Sequence, residues 1–215
     1  GWTPRAPGWW DEEMICQSLR DPSHRVLFSE AVRRNLAPDG GLYMPVSLPV
    51  FEDLDQLLEL PWVLRNPEIL FRLLGDEFSR VELESMTAEA FNFPVTLVKV
   101  AERVWALELF HGPSAAFKDF GARFLAQVLY LLRWKTGDHR ALTVLTATSG
   151  DTGAAVARAF WNLPGFKVVV LYPEGRVSPL QEKQFASLGG NVSGLVPAGA
   201  VNIGQLGQRF FLPLL

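Results

Sequence analysis

The spacing of apolar residues changes character at about residue 95. Before that point, apolar positions three and four residues apart predict short helices. These helices are expected at residues 28–36, in separate segments between 53 and 78, and at 87–91. Ser29 is the expected N-cap of the first helix, and Pro61 and Pro67 are expected to interrupt the middle segments. The first part of the chain is therefore predicted to be mainly helical.

From residue 95 onwards, apolar and β-branched runs alternate with segments of helical spacing. The predicted strands cover residues 95–100, 104–109, 142–147 and 167–172, and the predicted helices cover 117–134, 152–161 and 178–188. Strands and helices in this order form βαβ units around a parallel sheet. We therefore predict an α/β fold in three parts: a poorly ordered extension over residues 1–16, a small, mainly helical domain over 17–94, and part of a parallel-sheet domain over 95–215.

The composition is that of a globular protein. Of the 215 residues, 48% are hydrophobic and 20% are charged, and the formal net charge is −3. This balance supports a buried core and gives no electrostatic reason to expect nucleic acid or a membrane as a partner. The single Cys16 excludes an internal disulfide, and the three histidines lie at no metal-ligand spacing, so no metal is expected. We expect a cytoplasmic protein and, because the first residue is glycine and not methionine, a fragment of a longer chain.

The first segment with candidate chemistry surrounds Lys118. A Gly-Pro-Ser turn at residues 112–114 follows a predicted strand and places this lysine in the first turn of the next helix. The partial positive charge of a helix start, together with Phe117 and Phe120, is expected to favour the neutral amine that Schiff-base chemistry requires. The alternative is an exposed lysine whose stem packs against phenylalanine. A Walker-type phosphate loop is excluded, because Phe117 stands where that motif needs glycine.

The second segment is residues 146–153 (TATSGDTG), which follow a predicted buried strand and open a helix. Backbone N–H groups and hydroxyls converge at such a helix start, an arrangement that suits a carboxylate or a phosphate. Asp151 and Thr152 could equally be helix caps, and Gly150 and Gly153 could be simple turn residues. The carboxyl end of an inner parallel strand is where α/β folds bind ligands, which favours the functional interpretation.

The third segment is residues 172–184 (YPEGRVSPLQEKQ), again between a predicted strand and a predicted helix. Ser178 is a good N-cap, with Pro179 at the first helical position. Arg176 lies in the loop before this helix, at the same edge of the sheet. Its guanidinium is either a ligand for an anionic group or a solvated surface charge.

Together, the three segments resemble the threonine synthase family. The similar stretches are residues 110–121 (FHGPSAAFKDFG), 146–153 and 172–184, with 20–26 (RDPSHRV) and 37–45 (APDGGLYMP) nearer the N-terminus. The lysine segment and the Ser-Gly-Asp-Thr-Gly segment are specific in combination, whereas either alone indicates only the wider group of pyridoxal-phosphate (PLP) lyases. That group includes the tryptophan synthase β-chains.

The resemblance implies a PLP-binding second domain and a carbon–oxygen lyase of threonine biosynthesis, which converts O-phosphohomoserine and water to threonine and phosphate. Lys118 would carry the cofactor as a Schiff base and then transfer protons, with Phe117 and Asp151 beside the cofactor. The residues implied to hold the substrate carboxylate are Ser149, Gly150, Asp151, Thr152 and Gly153. The residues implied to hold the substrate phosphate are Arg176, Ser178, Gln181 and Lys183.

The chain also departs from the family. Members are much longer, the Gly/Asn loop that cups the cofactor phosphate has no counterpart here, and the resemblance ends at about Val192. We therefore expect a weakly stable chain with poor catalysis of its own. Two alternatives stay open, a non-catalytic derivative of the family and a sister lyase that acts on serine or threonine. The intact lysine and glycine segments speak against the first, and the His-Gly-Pro run before Lys118 speaks against the second.

Overall fold

The computed structural model describes residues 13–148 and 150–196, and the backbone of residues 3–4 and 213–214. The chain forms two compact units, Gly1–Glu89 and Ala90–Leu215. Among the described residues, no helix is long and apolar enough to span a membrane. The domain boundary predicted after residue 94 lies a few residues beyond the division between the two units.

In the residues that the structure describes, the first unit combines short strands with four helices. Its strands are β1 (Thr3–Pro4), β2 (Ile15–Ser18), β3 (Arg25–Leu27), β4 (Tyr43–Pro45) and β5 (Ser47–Leu48). Its helices are α1 (Phe28–Arg34), α2 (Leu54–Glu59), α3 (Trp62–Leu74) and α4 (Arg80–Ala90), with a 3₁₀ turn at Gly75–Glu77. Strands β3, β2 and β4 form an antiparallel sheet in that order, and β1 pairs with β5 in parallel.

Several details of the first unit differ from the sequence prediction, and the helix predicted at 87–91 is the end of the longer helix α4. Residues 15 and 16, which the sequence assigns to the extension, begin β2, where Cys16 is buried and pairs with Val26 and Pro45. Pro67 does not interrupt a helix but lies buried inside α3. A proline within a helix removes one backbone hydrogen bond, and the helix nevertheless continues through this position to Leu74.

The start of α1 is capped from a distant part of the chain. Ser29 is not the N-cap, because the helix already begins at Phe28. Instead, the carboxylate of Glu77 accepts hydrogen bonds from the backbone N–H groups of Phe28 (3.0 Å) and Ser29 (2.9 Å). A carboxylate also interacts favourably with the positive end of the helix dipole. Glu77 therefore performs the role that the sequence assigned to a local serine.

Replacement of Glu77 by alanine is expected to lower the free energy of unfolding by about 1 kcal/mol, the usual loss when a helix cap is removed. Urea denaturation measures this loss. Glu84→Ala is the matched control, because Glu84 is exposed on the surface of α4. Equal losses in the two variants would contradict the capping role.

The second unit contains the predicted α/β layout. Its strands are β6 (Thr96–Ala101), β7 (Val104–Glu108), β8 (Leu142–Ala147), β9 (Phe166–Leu171), β10 (Val192–Leu195) and β11 (Pro213–Leu214). Its helices are α5 (Lys118–Thr136), α6 (Asp151–Phe160) and α7 (Pro179–Ala186). Strands β10, β9 and β8 are parallel neighbours, and β11 pairs antiparallel with β8. Strands β6 and β7 form a separate antiparallel hairpin. The α/β fold class is thus confirmed.

The core of the second unit lies where α6 packs against β8, β9, α5 and α7. Three alanines of α6 are fully buried, at 154, 155 and 157. Their small side chains let the helix lie close to the sheet, where Val168 and Val170 of β9 are also buried. Since β8 and β9 are adjacent and parallel, the loops that follow them emerge at the same edge of the sheet. This edge holds the second and third segments with candidate chemistry.

Candidate functional site

Lys118 is the first residue of α5, as the sequence predicts to within one residue. Its side chain is half-buried, and Nζ lies 4.7 Å from the centre of the Phe117 ring, which is itself mostly exposed. Among the described residues, no carboxylate forms an ion pair with this amine. An amine at a helix start without an acidic partner is accessible to an electrophile such as an aldehyde.

The turn before Lys118 is held by the buried side chain of Asp119. Its carboxylate oxygen Oδ2 accepts a hydrogen bond from the backbone N–H of Ser114 (2.8 Å). A Cβ atom added to Gly112 would lie 2.4 Å from the same oxygen, so only glycine fits against this carboxylate. Within the turn, Ala115 has a φ of 56°, in the left-handed region that non-glycine residues rarely adopt. Asp119 has no role among the sequence-based predictions, although it directly follows the candidate lysine.

The loop after β8 is organised by Thr148, which also has no role of its own among the sequence-based predictions. Its hydroxyl accepts hydrogen bonds from the N–H groups of Gly150 and Gly153, each at 3.0 Å, and donates to the carbonyl of Gly150 at 2.8 Å. This buried hydroxyl thus satisfies two of the free donors at the start of α6. Ser149 lies outside the described residues, so its predicted role stays a prediction.

Asp151 and Thr152 occupy the first turn of α6 and are not its caps, since the helix begins at Asp151 itself. The side chain of Asp151 is exposed and that of Thr152 is half-buried. Their backbone N–H groups have no hydrogen-bond acceptor among the described residues. Two donors at the positive end of a helix dipole are suited to an anionic group.

The loop after β9 leads into α7 through a capping box, which confirms Ser178 as the N-cap and Pro179 as the first helical residue. The hydroxyl of Ser178 accepts from the backbone N–H of Gln181 (3.3 Å), and the side-chain oxygen of Gln181 accepts from the backbone N–H of Ser178 (3.3 Å). Below this turn, the Tyr172 hydroxyl donates to Glu182 (2.9 Å). That hydrogen bond, together with burial, raises the pKa of Tyr172 above its usual value. The start of α7 is therefore anchored to the end of β9.

The two loops meet through one side-chain contact. Nε2 of Gln181 donates to Oδ1 of Asp151 at 2.8 Å, so residues that are 30 positions apart in sequence are in contact. By contrast, the side chains of Lys118, Arg176 and Lys183 form no hydrogen bond or ion pair with the other predicted site residues in the described part of the chain. Arg176 and Lys183 are both exposed.

Fold and site together define an α/β protein that carries polar loops at the carboxyl ends of neighbouring parallel strands, where this class binds small ligands. Residues 16–91 match the family model "Threonine synthase N terminus". The threonine synthase of Haemophilus influenzae is 51% identical over 179 residues, which make up 83% of this chain and 41% of that protein. That of Escherichia coli is 49% identical over 181 residues, 83% of this chain and 41% of that protein. Over most of its length, the chain is thus similar to the N-terminal part of threonine synthases.

Solved structures agree with this assignment. The crystal structure of threonine synthase from Escherichia coli matches with a TM-score of 0.82 at 44% identity, over 92% of this chain and 46% of that chain. An X-ray structure of PLP-bound threonine synthase from Brucella melitensis matches with a TM-score of 0.78 at 35% identity, over 86% of this chain and 41% of that chain. The chain thus spans less than half the length of the relatives that it matches.

Proposed function

We propose that this chain provides the cofactor lysine and the substrate-carboxylate loop of a threonine synthase, which converts O-phosphohomoserine and water to threonine and phosphate with PLP as cofactor. The observation that carries the proposal is the amine of Lys118, half-buried at the first residue of α5 and without an acidic partner among the described residues. The chain contains a single cysteine, Cys16, and such sparse cysteine usage suits a reducing compartment, so we propose the cytoplasm.

The residues around Lys118 fit the chemistry of PLP. A primary amine can bind the aldehyde of this cofactor, which supplies an electron sink when bound. Asp119, the neighbouring carboxylate, is engaged with Ser114 inside the turn and does not neutralise the lysine. The amine is thereby kept available to hold the cofactor and afterwards to take up and return protons. Phe117 and Asp151 are the further residues that we propose beside the cofactor.

The two loops at the sheet edge suit the two anionic ends of one small substrate. We propose that Ser149 and residues 150–153 bind the carboxylate, with the N–H groups of Asp151 and Thr152 as donors that have no acceptor among the described residues. We propose Arg176, Ser178 and Lys183 for the substrate phosphate, since an exposed guanidinium and ammonium are accessible to it. The amide of Gln181, the fourth candidate, already contacts both Asp151 and Ser178.

The test is reduction of the chain with borohydride in the presence of PLP, followed by peptide mass mapping. We expect one cofactor adduct, on Lys118, and its complete loss in Lys118→Ala. Lys99→Ala is the matched control, because the amine of Lys99 also faces an aromatic ring, that of Trp105 at 5.9 Å, but lies on the exposed β6–β7 hairpin. We expect this control to leave the adduct unchanged.

Scattered labelling of surface lysines would contradict the proposal and favour a non-catalytic derivative of the family. If the adduct forms, phosphate release from O-phosphohomoserine is the next measurement, with threonine as the competing substrate. Turnover of threonine in place of O-phosphohomoserine would favour a dehydratase-like lyase.

A further inference from the structure

We propose that Gln181 is a positioning residue that joins the loop of residues 150–153 to the loop of residues 173–178. The roles of the two loops rest on the proposed function above. The contact between them rests on hydrogen bonds formed at both ends of a single side-chain amide.

Both the oxygen and the nitrogen of the Gln181 amide form hydrogen bonds. Its oxygen Oε1 accepts hydrogen bonds from the hydroxyl of Ser178 (3.0 Å) and from the backbone N–H of the same residue (3.3 Å). Its nitrogen Nε2 donates to Oδ1 of Asp151 at 2.8 Å. The N–H that donates to Asp151 could bind a substrate phosphate only by giving up this contact, and Oε1, an acceptor, does not bind a phosphate that only accepts hydrogen bonds. The geometry therefore assigns Gln181 to the connection between the loops.

The glycine before Asp151 makes room for this contact. A Cβ atom built on Gly150 would lie 2.8 Å from Nε2 of Gln181, closer than non-bonded atoms normally approach. Any larger residue would therefore push the amide away from the start of α6. This gives Gly150 a packing role in addition to its place in the loop.

The helix that carries Gln181, α7, is itself held in place by contacts with Tyr172. On the same helix, Phe185 is completely buried and its ring contacts that of Tyr172 edge to face at a centroid distance of 5.0 Å. Glu182 accepts a hydrogen bond from the Tyr172 hydroxyl. Because α7 is held against the end of β9, its amide can hold the more exposed carboxylate of Asp151 in one orientation. Local opening of one loop then breaks a contact of the other, so the two loops behave as one unit.

Gln181→Glu is the sharpest test, because glutamate is as good as glutamine in a capping box. The acceptor for Ser178 is kept, while the donor to Asp151 becomes a carboxylate that repels it. We expect backbone amide hydrogen exchange to become about tenfold faster in residues 150–156, the effect of losing one hydrogen bond to a charged group. Exchange in residues 179–186 should change much less, since the capping box persists.

The second variant adds Asp151→Asn to Gln181→Glu. The asparagine amide at position 151 can donate to the glutamate at position 181, which restores the contact with donor and acceptor exchanged. We expect exchange in residues 150–156 to return towards its original rate. Tyr172→Phe is the matched control, since it removes a different hydrogen bond to α7 and leaves the Gln181–Asp151 contact in place. It should not accelerate exchange in residues 150–156.

The outcomes separate this inference from the proposed function. Unchanged exchange in Gln181→Glu, or failure of the double variant to restore it, would overturn the connecting role of Gln181. Adduct formation on Lys118, measured on the same proteins, tests the proposed function independently. If the adduct forms, the affinity for O-phosphohomoserine, measured from the cofactor absorbance, should weaken in Gln181→Glu. A purely structural role in α7 would not be rescued by a change at Asp151.

Discussion

Replacement of Gly153 by alanine is expected to lower the free energy of unfolding by about 2 kcal/mol, the cost of placing an extra methyl group in a filled space. A Cβ atom at this position would lie 2.4 Å from Cγ2 of Thr148, 2.8 Å from its Cβ and 3.0 Å from Cγ1 of Val170. Both neighbours are buried and β-branched, so neither can move away easily. The clash would also push the Thr148 hydroxyl away from the two backbone N–H groups that donate hydrogen bonds to it.

The matched control is Gly121→Ala in α5, where an added Cβ would meet no atom within 4 Å. The same substitution in an open helical position should raise stability by up to about 1 kcal/mol, because alanine is the better helix former. Thermal and urea unfolding of both variants should therefore give shifts of opposite sign. Thr148→Ser, which removes Cγ2 and keeps the hydroxyl, should partly rescue Gly153→Ala. A stabilised Gly153→Ala variant would contradict the packing described here.

The layout of the second unit was predictable because residues that face the core are apolar, and their spacing along the sequence follows the period of the helix or strand. Strand β8 occupies residues 142–147, the limits that were predicted, and β9 and α6 differ from their predicted limits by one residue. These segments are apolar on the faces that contact the core, and their periodicity follows from that contact. The order of strands and helices then determines a parallel sheet and the edge where its loops meet.

The side-chain contacts that organise the site were not predictable in the same way. Glu77 caps a helix that begins 49 residues earlier, and Gln181 contacts Asp151 across 30 residues. Each contact depends on how separate elements lie in space, and the local spacing of residues in the sequence does not predict that arrangement. Thr148 and Asp119 form hydrogen bonds with residues only two to five positions away. Each, however, lies next to a residue with more obvious chemistry, and the functional role was predicted for that neighbour. Local propensity therefore identified the segments, whereas three-dimensional packing determined which residues hold them.

Replacement of Asp119 by alanine is expected to have the largest effect on stability, a loss of about 3 kcal/mol. The substitution leaves the buried N–H of Ser114 without its acceptor, which costs about 1–3 kcal/mol, and it opens a cavity where the carboxylate packs against Gly112. The turn also contains Ala115 in a left-handed conformation, which is unfavourable and needs support from its surroundings. Urea denaturation measures the loss.

Asp138 offers a matched control for Asp119, because its carboxylate also accepts a hydrogen bond from a nearby backbone N–H, that of Arg140 at 3.0 Å, but it is only half-buried. Asp138→Ala should therefore be far milder, and similar losses would show that burial of Asp119 is not the cause. Asp119→Asn keeps the volume and an acceptor for Ser114, so it should retain most of the stability and the borohydride-reduced adduct on Lys118. Asp119→Ala should lose that adduct even at temperatures where it is folded, since the turn no longer fixes the start of α5. An adduct that survives in the folded alanine variant would mean that Lys118 is positioned by the helix alone.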